Sequence, residues 1–228
     1  MKRKGAGNVE FILAFVLFSG FTITALYLFN PFVNTTSLTS TRDYVEGAII
    51  SNSSVELESY SVIITGGNDV MIDFPKVSQN KGVVVLNYSD NLTNSQRDSL
   101  GRVCFTKQSS EKFFMVSFSE DIVGGTKPTC TGSASYRLGS SVSDKLLSEK
   151  RILQIKNSYY SDYSALKQQL DIPPNVDFAF SFKFKDGQVI EGTRSIPLRT
   201  DVFANTKIEE ILRTNGKSEF GYLTVSVW

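Results

Sequence analysis

The chain has 228 residues, a net charge of +1 and no histidine. Its Lys and Arg are scattered among Asp and Glu, so neither a basic face for nucleic acid nor an acidic tail is present. Without histidine the commonest general base and metal ligand are missing, and Cys104 and Cys130 are the only cysteines.

The first element in chain order is the uncharged run from Phe11 to Phe29. As a helix it would rise about 28 Å, which matches a bilayer core, so the run predicts a transmembrane helix over roughly 6–33. A removable secretory signal is the rival reading. The run is long for such a signal, and Asn30-Pro31-Phe32 stands where a small-residue cleavage site belongs. Lys2, Arg3 and Lys4 precede the run with no comparable cluster after it. The N-terminus is therefore expected in the cytoplasm and the remainder outside, as a single-pass cell-membrane protein.

Glu10 stands at the cytoplasmic edge of this run. A carboxylate there either snorkels to the headgroups or has a partner and a task. Phe11, Phe15, Phe18 and Phe21 recur at spacings of three and four, which places them on one stripe of a helix.

The order Lys2-Arg3-Lys4-Gly5, then Ala6-Gly7-Asn8-Val9-Glu10-Phe11, then a long apolar helix resembles the class III signal peptide of type IV pilins and their archaeal relatives. The resemblance covers the first thirty-odd residues. It departs from the family at Ala6, where bacterial pilins usually carry phenylalanine, and at Gly7 and Asn8, where archaeal members carry Gln and Ser. It implies that residues 1–5 are a leader, cut between Gly5 and Ala6 by a prepilin peptidase. By the same resemblance, Glu10 meets the N-terminal amine of a neighbouring subunit during assembly, and Phe11, Phe15 and Phe18 pack into a filament core. Membrane lipid, the peptidase and other pilin-like subunits or an assembly platform are the implied partners. Tyr163 to Lys167, Ile172-Pro173, Asp177-Phe178 and Val225 to Trp228 are also similar to archaeal pilin-like membrane proteins, which implies no activity.

Residues 34–54 read either as a polar neck with an amphipathic turn from Asp43 to Ile50, or as a continuing helix with Leu38, Val45 and Ile49 on one stripe. From 55 to 228 the pattern predicts an exported β-rich domain. Strands are expected at Val55–Thr65, Val70–Phe74, Val83–Tyr88 and Phe113–Ser119, and one helix at Ser158–Leu170 that stops before Pro173-Pro174. Phe178, Phe180, Phe182 and Phe184 alternate with Ala179, Ser181 and Lys183, the pattern of a strand with a buried face. Asp186-Gly187 and Asn215-Gly216 predict hairpins, the second pairing Lys207–Arg213 with Glu219–Val227, and Trp228 is expected to cover the closing strand's edge. The predicted fold class is α+β: a long N-terminal hydrophobic helix, transmembrane or filament core, followed by an antiparallel β domain with one or two short helices.

In an exported domain, Cys104 and Cys130 would form a disulfide closing a loop of about 26 residues, worth roughly 3 kcal/mol. Asn34, Asn52, Asn87 and Asn91 each begin an Asn-x-Ser/Thr glycosylation signal. Ser119-Glu120-Asp121 near Gly124-Gly125 is either a solvated acidic turn or a cation-holding loop. No phosphate-cradling or nucleophile motif is present, so neither an enzymatic role, a cofactor nor a metal is expected. Three functions remain: a pilin-like structural subunit, an uncleaved signal-anchor protein whose β domain binds a surface ligand or envelope partner, and a tethered hydrolase built on paired carboxylates.

Overall fold

The computed structural model describes residues 6–28, 32–123, 132 and 134–228, with side chains over 10–25 and from 39 onward. Two compact units are present, Met1–Thr41 and Arg42–Trp228. Among the described residues four helices are formed: α1 (Ala6–Leu28), α2 (Phe32–Ser53), α3 (Glu149–Ser161) and α4 (Tyr163–Gln169). The strands are β1 (Ser54–Ile64), β2 (Asp69–Ile72), β3 (Gly82–Asn87), β4 (Leu92–Thr93), β5 (Ser95–Arg97), β6 (Val103–Thr106), β7 (Phe113–Ser119), β8 (Tyr136–Ser148), β9 (Phe178–Lys183), β10 (Val189–Gly192), β11 (Phe203–Leu212) and β12 (Ser218–Val227).

The expected fold class is corrected. Among the described residues no helix is long and apolar enough to cross a membrane. The part of α1 with placed side chains runs from the charged Glu10 to Ala25, a rise of about 24 Å against a hydrocarbon core of about 30 Å. Ser19, Gly20, Thr22 and Thr24 interrupt its apolar character. The remainder is a mostly β body of one nine-stranded and one three-stranded sheet.

The large sheet has the order β10-β9-β12-β11-β8-β1-β7-β3-β4. Its neighbours are antiparallel except β11 and β8, which run parallel and meet only at Ile211–Leu147 and Leu212–Ser148. On either side of that short seam the sheet has a large core of its own, and a smaller buried cluster of Val55, Leu57, Val84, Ile122, Leu146 and Leu212 spans the seam. On the β9–β12 half, Phe178, Phe180, Phe182 and Phe184 lie under α3, α4 and the C-terminal part of α2, which contributes Val45 and Ile49. On the β1–β7–β3 half, Val62, Val83, Val116 and Phe118 pack against the small sheet β2-β6-β5, with Phe74 and Phe105 among the residues buried there.

The region 34–54 is a helix that passes into a strand without a loop. Side chains at the end of α2 bond back to its last turns: Asn52 Nδ2 donates to Ala48 O, Ser53 Oγ to Ile49 O and Ser54 Oγ to Ile50 O, the last of these a carbonyl with no intrahelical partner. The single helix expected over 158–170 is two helices. Asp162 adopts an extended φ of −150° and its carboxylate accepts from Ala165 N at 2.9 Å, so it ends α3 and caps α4. Both predicted hairpins form, with Gly187 at φ +89° and Gly216 at φ +86°, conformations that favour glycine. Trp228 covers no edge, because β12 lies between β9 and β11; its backbone instead exchanges two hydrogen bonds with Asp177.

Candidate functional site

The surface that stands apart is α1. A run of leucine, phenylalanine, alanine and isoleucine with no charge after Glu10 favours helix locally. Its two threonines turn their hydroxyls back onto the backbone: Thr22 Oγ1 donates to Phe18 O and Thr24 Oγ1 to Gly20 O, both at 2.8 Å. This satisfies their polar atoms within the helix and leaves hydrocarbon outside. Phe11 is 75% exposed, Phe15 64%, Phe18 68% and Phe21 74%. Ile12, Leu13, Val16 and Leu17 are exposed as well, so the apolar character runs around the helix instead of following one stripe. Glu10 is exposed near the start and has no hydrogen-bond or ion-pair partner among the described residues. Gly5 lies outside the described residues, and Ala6 begins α1 with its side chain outside them.

The remaining predicted positions are dispersed. Cys104 is buried on β6, while Cys130 lies outside the described residues, and their expected pairing with it. The Asn34 side chain is likewise outside. Asn52 is engaged in the α2 cap. Asn87 is engaged at both ends of its amide: Oδ1 accepts from Ser89 N and Asn91 N, and Nδ2 donates to Glu111 at 2.6 Å. Asn91 is exposed in the turn between β3 and β4.

The acidic turn at Glu120-Asp121 is held by cations of the chain itself. Asp121 meets Arg151 Nε at 2.7 Å and Lys150 Nζ at 3.4 Å, and Glu120 meets Arg151 at 3.4 Å. These pairs tie the end of β7 to the first turn of α3, whose N-cap is Ser148. No group of three or more His, Cys, Asp or Glu placed to hold a metal occurs among the described residues.

Sequence reasoning missed one polar cluster. A cleft of about 330 Å³ between the start of β1, β8 and α3 is lined by Glu56, Lys81, Glu120, Ser143, Lys145 and Arg151, among others. Lys81 Nζ contacts Glu56 at 3.1 Å and Glu58 at 2.6 Å, and Ser143 Oγ donates to Glu56 at 2.8 Å. The Ser143 hydroxyl and then Lys81 hold the Glu56 carboxyl below its usual range. The cluster therefore suits an ion-pair staple joining strands. Its signal in the sequence was the alternation Glu56, Leu57, Glu58 at the start of β1, with two charges on one face.

Comparison with family models, with curated proteins and with solved structures finds no match.

Proposed function

We propose that the chain is a pilin-like structural subunit, exported, trimmed after Gly5 and incorporated into a surface filament through α1. The observation that carries this reading is the exposure of Phe11, Phe15, Phe18 and Phe21 on a helix whose Thr22 and Thr24 hydroxyls are satisfied by its own backbone. Burying one such ring contributes about 1.5–3 kcal/mol, so a helix with this many exposed rings gains strongly from neighbours of its own kind. Cleavage would set a new ammonium at Ala6 near the unpaired Glu10 of an adjacent subunit. Opposite charges removed together from water attract strongly, whereas either one alone is penalised, so their pairing selects a register for packed helices. In the exported setting Cys104 and Cys130 are paired, and Asn91 is a better glycan acceptor than Asn87, whose amide is already committed.

The test is N-terminal sequencing of the protein recovered from its native cells, together with Glu10→Ala. A chain beginning at Ala6 and a Glu10→Ala protein that is produced and folded but left out of filaments support the proposal. A mature chain beginning at Met1 overturns it, and favours an uncleaved protein whose β body binds an envelope partner. Unchanged assembly of Glu10→Ala removes the role given to that carboxylate.

A further inference from the structure

The seam in the large sheet creates strand edges, and they are managed unequally. The outermost strands are short, with β10 four residues long and β4 two, which limits what can add to them. The free edge of β11 is covered by α2: the buried Glu46 pairs with Lys207 and accepts from Asn205 Nδ2 at 2.9 Å. Among the described residues the edge of β8 has no such cover before Asp144, from where Asp144 to Leu147 border a groove shared with Glu209 and Glu210 of β11. β8 pairs with β1 on one side, and on the other it meets β11 only at Leu147 and Ser148. Every residue from Arg137 to Lys145 is exposed, and no charge or proline interrupts Leu138-Gly139-Ser140-Ser141-Val142-Ser143. Such a row of unpaired backbone donors and acceptors is a template for another strand.

The charges at the ends of this edge identify the strand that fits. Arg137 and Asp144 are exposed, and neither has an ion-pair or hydrogen-bond partner among the described residues. They stand symmetrically about the Ser140–Ser141 bond, so a second β8 laid antiparallel in that register sets each Arg137 opposite the other copy's Asp144. Directly opposed residues must share a face of the sheet. In a regular strand, positions 137 and 144 would face opposite sides, because their separation is odd. A bulge resolves this. Tyr60 pairs with Ser141 and Val62 with Leu138, two steps on β1 against three on β8. As a result Arg137 stands opposite Ile63 and Asp144 opposite Leu57, two β1 positions on the same face. Shifting the register by one residue sets Arg137 against Lys145 and loses both attractions.

We propose that β8 is a self-complementary docking edge, through which two copies of the chain join by antiparallel β8–β8 pairing about a twofold axis between Ser140 and Ser141. The contact is independent of α1 and of the pilin reading. A twofold pairing closes on itself, so it yields a dimer and no open polymer.

The experiment is sedimentation equilibrium of the full chain in a mild non-ionic detergent, which masks association through α1. The wild type is compared with Arg137→Glu, Asp144→Arg and the double reversal, each checked for folding by circular dichroism. Each single reversal replaces two attractive cross-strand pairs by two repulsive ones, and is expected to raise the dimer Kd roughly tenfold or more. The double reversal restores both pairs with the signs exchanged, and is expected to return the Kd to within about threefold of wild type. A wild type that stays monomeric to about 0.1 mM overturns the proposal. So does a dimer indifferent to the single reversals, or a double reversal as weak as either single.

Discussion

Two sets of phenylalanines in this chain have opposite fates. Phe178, Phe180, Phe182 and Phe184 are at most 2% exposed, whereas Phe11, Phe15, Phe18 and Phe21 are at least 64% exposed. Each set is spaced to match its own element, every second residue on a strand and every third or fourth on a helix. The difference lies in what the chain supplies to cover them. The strand set receives Tyr159 and Tyr163 from α3 and α4, which meet Phe178 at ring-centroid distances of 5.4 and 5.5 Å, and Val45 and Ile49 from α2. No comparable cover is formed on α1 among the described residues. A periodic set of apolar residues thus specifies a surface that is to be buried, without saying whether the partner lies in the same molecule.

The largest effect expected from breaking this comparison is in the strand set. Phe182→Ala removes a ring that is fully buried between β9, β10 and β12, packed edge-on at 4.9 Å against Phe184. A loss of about 3–5 kcal/mol is expected, because the surrounding sheet and helices collapse only partly into the space. Urea unfolding followed by circular dichroism measures it. A loss below about 1 kcal/mol would mean that this stripe is not the organising core of its half.

This half was also the more legible in the sequence. The alternation of four phenylalanines, Asp186-Gly187 and Asn215-Gly216 are local signals, and β9, β10, β11 and β12 follow from them with small shifts at their ends. β7 occupies the predicted span Phe113–Ser119. β8 was not foreseen, because Gly139, Ser140, Ser141 and Ser143 break the apolar alternation; that strand is specified by its pairing with β1. The split between α3 and α4 escaped for a different reason. Asp162 follows Ser161 and Tyr160 with no glycine or proline to mark a stop, and only its capping bond to Ala165 shows the break. The expectation of a membrane-crossing helix weighed the length of an uncharged run and gave little weight to Ser19, Gly20, Thr22 and Thr24 within it. The polar cleft was hidden because Glu56, Lys81 and Ser143 are brought together only by the sheet.

A smaller effect is expected where the covering helices touch the strand set through polar atoms. Tyr159 OH donates to Phe178 O at 2.6 Å, and Tyr163 OH accepts from Phe178 N at 3.0 Å. Tyr159→Phe should cost about 1–2 kcal/mol, since it leaves a buried carbonyl short of a donor. Burial pushes the Tyr163 phenol up to about 12 and raises Tyr159 as well. Groups with raised folded pKa values contribute stability that is complete below their unfolded value near 10 and is lost as pH rises toward 12. An alkaline titration should therefore show phenolate absorbance at 295 nm and loss of near-ultraviolet circular dichroism rising together between about pH 10 and 12. Ionisation of all nine tyrosines near pH 10 with the fold intact would contradict that burial.

The smallest effect on the folded chain is expected in the helix set, and there the comparison is tested most directly. Phe15 is exposed, so Phe15→Ala removes no contact in either described core and should leave the unfolding free energy of the β body within about 0.5 kcal/mol of wild type. If α1 is covered by neighbouring subunits, the same substitution removes about 1.5–3 kcal/mol at every subunit of an assembly, an effect that multiplies along a filament. Filaments sheared from cells producing Phe15→Ala and sedimented should then be scarce, while the amount of folded subunit is unchanged. A variant that assembles like wild type would place the cover of α1 elsewhere. A variant that loses stability of the β body would mean that these rings are buried within their own chain after all, and the contrast between the two phenylalanine sets would dissolve.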